Sequence, residues 1–174
     1  CLAKKGCGPS TTFAALRDER RCNLRVCCSN LTTNRPEYFC ADATPDKNVV
    51  DGVLMSMALP PLFAPVRCDN CMYIDGAFLD SFPMEGITDP AATLGLRLKW
   101  DVAFHLASVE QYFSRLAYVA LNFAEKHGAA TVSGITLVDI DVGDVSTINF
   151  ALPRWTIEQL VRGGRAAIRT QFKT

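Results

Sequence analysis

Long apolar runs are missing from this sequence, and so is any imbalance of charge. No stretch of about 18 consecutive apolar residues occurs, so no segment reads as a membrane-spanning helix. The 174 residues carry 18 Lys and Arg against 18 Asp and Glu. No basic stripe stands out, which argues against a nucleic-acid partner. Histidine is scarce, with only His105 and His127 present. Neither lies near a Gly-flanked serine, so a Ser-His-Asp triad lacks its parts. Internal repeats and low-complexity tracts are absent as well. The chain opens at Cys1, without a methionine.

What is present is an ordinary globular composition, 49% hydrophobic and 21% charged. That length and that apolar share suit one domain, or the larger part of one. Eight cysteines are spread over positions 1, 7, 22, 27, 28, 40, 68 and 71. A disulfide scaffold carries roughly 8–10% cysteine, well above this density. Several of these thiols sit in apolar, strand-like runs, where a thiol acts as a small hydrophobe. Most of them read as reduced and structural. Cys68-x-x-Cys71 lacks the second pair that a zinc site needs. A redox Cys-x-x-Cys opens a helix after a strand, whereas this one caps a predicted hairpin between Pro65 and Tyr73. It reads as a surface turn, and neither a metal nor a cofactor is expected.

Periodicity places the elements. Ser10 to about Arg17 predicts a short helix, with Phe13 and Leu16 on one face and hydroxyl caps before it. Cys22–Cys28 and Tyr38–Ala41 read as paired strands around the turn residues of Asn30–Pro36. Asp46 or Asn48 caps a second helix, whose stripe of Val49, Val50, Val53, Leu54 and Met57 is expected in the core. Pro60 and Pro61 end it. Leu94–Leu98 alternates as a strand. Ser108 and Gln111 are spaced as a capping box for a long helix, with Val109, Tyr112, Phe113, Leu116, Val119, Ala120 and Phe123 on its buried face and Gly128 as its stop. Ile135–Ile140 reads as a strand and Ile157–Ile168 as a final helix, where Gly163-Gly164 permits a close neighbour. Strands alternating with helices predict an α/β layered fold.

The informative stretch is Ala58–Pro83. Met72, Tyr73 and Ile74 favour extended backbone. Asp75-Gly76 then breaks the strand, the glycine allowing a sharp turn through positive φ and leaving a carboxylate at the strand's rim. Before it stand Met55-Ser56-Met57-Ala58-Leu59-Pro60-Pro61-Leu62-Phe63-Ala64-Pro65; after it come Ala77 and Phe82-Pro83. This pattern resembles the second signature of the patatin-like phospholipases, in which a small-residue helix end with Leu-Pro and Phe-x-Pro precedes Asp-Gly-Ala and a Phe-Pro turn. The resemblance runs from about Phe13 to about Ile168 and is most specific around Asp75.

That resemblance implies a layered α/β/α fold with a mixed central sheet. It also implies hydrolysis of acyl esters of lipids or phospholipids at a membrane surface, by a Ser–Asp dyad in which Asp75 is the base. The family's Gly-x-Ser-x-Gly nucleophile turn and its Gly-rich oxyanion loop are not in this chain. Ser56 is flanked by Met55 and Met57, and Ser133 has no glycine two residues before it, so neither makes the strained elbow a nucleophile needs. The expectation is therefore the C-terminal portion of a single patatin-like domain over residues 1–174, with the remainder missing or on another chain. Ile74, Ala77, Phe78 and Phe82 are the expected apolar walls around Asp75. The compartment stays open, with an intracellular, peripheral-membrane setting the expectation. The alternative is a non-catalytic interaction or regulatory module on a degenerate patatin-like fold, in which Asp75 only shapes a turn.

Overall fold

The computed structural model describes residues 8–99, 108–130, 134–143, 145 and 151–172. The chain divides into two compact units, Cys1–Pro83 with Ala107–Thr131, and Met84–Leu106 with Val132–Thr174.

In the first unit, helix α1 (Phe13–Arg20) starts where Thr12 Oγ1 accepts the Ala15 N–H at 3.2 Å. This hydroxyl satisfies one of the donors that a helix start leaves unpaired. Strands β1 (Arg25–Asn30) and β2 (Arg35–Cys40) pair antiparallel in the register Val26↔Phe39 and Cys28↔Glu37. Both run further toward their turn than the sequence predicts. Asn30 explains the tight connection: its Oδ1 accepts the Thr32 and Thr33 N–H groups, a side-chain substitute for backbone turn bonds. Helix α2 (Val49–Ser56) follows, and then a short hairpin of β3 (Val66–Cys68) and β4 (Cys71–Asp75). The sheet order is β2-β1-β4-β3, antiparallel throughout. Phe13, Val26, Cys28, Phe39, Val49, Met55 and Tyr73 form its core. Phe39 and Tyr73 meet edge to face at 5.6 Å. Each such large side chain contributes about 1.5–3 kcal/mol on burial.

The expected stripe of α2 is corrected. Leu54 and Met57 are more than half exposed, and the buried line is Val49, Gly52, Met55. The reason is Gly52, where an added Cβ would stand 2.9 Å from Phe13 Cζ. The helix rests its bare position on the Phe13 ring, which turns Met55 inward and Leu54 and Met57 outward. A second correction concerns α3 (Val109–Ala130). Ser108 Oγ does accept the Gln111 N–H at 3.2 Å. The predicted buried face is nevertheless exposed at Val109, Tyr112, Phe113, Leu116, Val119 and Ala120. Phe123 lies outside the residues whose side chains are described. The helix also continues through Gly128 to Ala130.

In the second unit, β5 (Leu94–Lys99) and β6 (Thr136–Asp141) run parallel, with Arg97 opposite Asp139. Helix α4 (Arg154–Phe172) turns Gly163 and Gly164 toward β6. Strands of both directions are thus present, the antiparallel ones in the first unit and the parallel pair in the second. Among the described residues, no helix is long and apolar enough to cross a membrane.

Candidate active site

Asp75 is the last residue of β4 and stands opposite Cys28 of β1. Its backbone N–H donates to the Ala58 carbonyl at 3.1 Å, which ties the strand end to the segment leaving α2. Its carboxylate accepts the Ala77 N–H at 2.9 Å and so caps the 3₁₀ turn Gly76–Phe78. The group is half-buried. Burial pushes its carboxyl above the usual range, and the Ala77 N–H, which favours the charged form, opposes that only in part.

Gly76 is required for a reason other than the expected one. It is not among the positive-φ residues, so backbone handedness does not demand a glycine. An added Cβ would instead fall 2.3 Å from the Cys27 carbonyl oxygen and 2.7 Å from its carbon. The turn presses directly on the β1 backbone. Ser29 fixes it there: fully buried, its Oγ donates to the Gly76 carbonyl and accepts the Leu79 N–H, both at 3.2 Å. Sequence reading missed Ser29, because a lone serine inside an apolar strand gives no signal of what lies across the sheet.

Beside this turn is a cavity of about 350 Å³. Cys27 of β1, Val53, Ser56 and Met57 of the α2 region, and Gly76, Ala77, Asp80 and Ser81 of the turn are among the residues lining it. Asp75 itself does not line it; the two residues that follow do. Ala77 is therefore the one expected wall residue that borders the cavity. Ile74 is buried on the sheet face opposite Asp75, as alternation along a strand requires, and Phe78 and Phe82 are half-buried away from the lining. Tyr38 donates its hydroxyl to Asp80 Oδ2, and Asp80 Oδ1 accepts the Phe82 N–H at 3.3 Å, so that carboxylate is occupied in holding the loop. Ser81 Oγ is buried without a hydrogen-bond partner among the described residues.

Cys28 is not set up as a nucleophile. Cys28 is fully buried, donates to the Gly52 carbonyl, and burial pushes its thiol up to about 12. His105, Ser133 and the side chain of His127 lie outside the described residues. No group of three or more His, Cys, Asp or Glu side chains able to hold a metal occurs among the described residues.

Residues 5–87, which contain β1 to β4 and Asp75, match the family model described as patatin-like phospholipase. This segment resembles the patatin-like phospholipases. The chain is also 31% identical over 62 residues to the protein described as "Probable lipid hydrolase 463L" of Invertebrate iridescent virus 6, covering 36% of this chain and 21% of that protein. The crystal structure of VipD from Legionella pneumophila superposes with a TM-score of 0.68 at 19% identity, covering 93% of this chain and 35% of that one. The chain thus spans about a fifth and a third of the lengths of these two proteins. The segment matched by the family model lies on a mixed α/β scaffold, and Asp75 ends its strand β4.

Proposed function

We propose that the chain supplies the general base of a lipid acyl hydrolase, with Asp75 accepting the proton of a serine that the chain itself does not provide. The observation that carries this reading is the carboxylate at the end of β4, half-buried and held by one backbone donor. A free carboxylate is a weak base at neutral pH. Burial raises its proton affinity, in the direction general-base catalysis needs. Among the described residues the Ala77 N–H donates to Oδ1, and the reading assigns the other oxygen to the serine hydroxyl. The patatin-like match over residues 5–87 and the similarity to a lipid hydrolase support an acyl ester of a lipid or phospholipid as the substrate class. Acyl transfer also needs an oxyanion hole and an exposed serine on a Gly-flanked turn. Neither motif is in the sequence, so the reading places both on a further part of the domain, this chain being its C-terminal portion, and expects no ester turnover from the 174 residues alone.

The test is fluorophosphonate labelling and phospholipid hydrolysis by the complete protein, with Asp75→Asn as the variant. The reading expects labelling and hydrolysis that Asn abolishes. Full activity of the variant would refute it. One observation favours a second reading, a non-catalytic module: the Asp75–Ala77 contact gives the carboxylate a structural task of its own. That reading expects no labelling of the complete protein at all.

A further inference from the structure

The β3–β4 hairpin turns through Asp69 and Asn70, both at positive φ (50° and 62°), the primed two-residue turn that suits strand twist. This register sets Cys68 directly opposite Cys71. Directly paired residues project from the same sheet face with Cβ atoms about 4.5–5.5 Å apart. A disulfide needs about 3.5–4.5 Å, so a small closure suffices. Both thiols are free and half-buried. Lys47 reaches this pair from the residue preceding the cap of α2. Its Nζ lies 3.0 Å from Cys68 Sγ and 2.7 Å from Asp69 Oδ2, and 5.0 Å over the Phe39 ring. Burial works against the ammonium, but its hydrogen bonds to Asp69 and Cys68 prevail and hold Lys47 above its usual range. Cys68 Sγ in turn lies 3.4 Å from Asp69 Oδ2, to which its S–H points.

We propose that Cys68 and Cys71 are a peroxide-reactive dithiol, in which Cys68 attacks and Cys71 closes a reversible disulfide across the hairpin. The Cys68 sulfur is the attacking atom, placed directly opposite Cys71 and flanked by the Lys47 ammonium and the Asp69 carboxylate. The Cys68 sulfur attacks one peroxide oxygen; the S–O bond forms, the O–O bond breaks, and the leaving hydroxide takes a proton to become water. Cys71 then attacks the Cys68 sulfur; the S–S bond forms, the S–O bond breaks, and the second hydroxide leaves as water with the Cys71 proton. Two thiols are oxidised and one peroxide is reduced to two waters. The bridge spans only two intervening residues, so it gains little from restricting the unfolded chain and is readily reduced.

Trypsin cuts after Arg67 and Arg97, and no Lys or Arg lies between, so both thiols fall in one peptide with no other cysteine. The chain is exposed to limiting hydrogen peroxide, alkylated and mapped by mass. The proposal expects this peptide to lose two hydrogens and resist alkylation until reduced, before the exposed Cys22 is oxidised. In Cys71→Ser, dimedone should trap a sulfenic acid at Cys68. Independent alkylation of both thiols after peroxide, or oxidation of Cys22 first, would overturn the proposal.

Discussion

Gly76 has no space for a side chain, and Asp75 is half-buried; these two neighbours set the behaviour of the site. In Gly76→Ala the new methyl meets the Cys27 backbone, which cannot swing aside as a flexible side chain does. The expected loss is about 1–3 kcal/mol or more, the range for overpacking, measured by urea denaturation. Asp75→Asn behaves differently. The amide oxygen still accepts the Ala77 N–H, so the turn is kept. Because burial raises the folded-state proton affinity of Asp75, the folded protein binds that proton more tightly than the unfolded chain does. Wild-type stability therefore falls as pH rises from the ordinary carboxylate range through the raised folded value. At neutral pH the Asn variant should be the more stable protein, and it should lack this segment of the pH dependence. Melting temperatures of both proteins from pH 4 to pH 8 (roughly the window in which raised carboxyls titrate) check it. Equal curves would mean that the carboxylate is solvated as well in the fold as outside it.

Among the elements, glycines decide where the sequence reads true and where it misleads. The first helix, the hairpin ending in Asp75 and the β5 and β6 strands were legible, because capping hydroxyls, turn residues and alternation are local signals. The buried side of α2 was not. Gly52 counts for nothing in a search for apolar stripes, yet its lack of a side chain lets Phe13 set the rotation of the helix. Val109, Tyr112 and Leu116 of α3 show a different limit: an amphipathic pattern records that a face is apolar, not that the described chain covers it. Asp75 was legible as a carboxylate at a strand rim, whereas Ser29 and the close approach at Gly76 depend on a neighbouring strand 47 residues away. In α4, a Cβ on Gly163 or Gly164 would meet β6 at 3.9 and 4.0 Å, ordinary contact. These glycines permit a close neighbour without being required by it. Gly163→Ala and Gly164→Ala should each stabilise the chain by about 0.5–1 kcal/mol through helix propensity. Loss of stability in thermal melts would mean that the helix lies closer to β6 than these distances.

At the scale of the whole molecule, the two units answer to acid differently. In the second, Arg97 grips Asp139 with two bonds, at 2.7 and 3.0 Å, and Lys99 adds a third at 2.6 Å. The hydrogen bond from Arg97, with that from Lys99, holds the Asp139 carboxyl down to about 2. The stabilisation is complete above the ordinary carboxylate range and is lost as pH falls toward 2. Because the groups are partly exposed, Asp139→Asn should cost only about 1 kcal/mol or less at neutral pH, and should flatten the acid limb of the unfolding curve. The first unit carries most of the segment that matches the family model, and with it the carboxylate on which the proposed function rests. The most direct measurement is phospholipid hydrolysis by the complete protein with Asp75 and with Asn at that position, both verified as folded. Loss of about 10²–10⁴-fold, the contribution of a general base, in a variant at least as stable as wild type is the predicted result; equal turnover by the two proteins would contradict it.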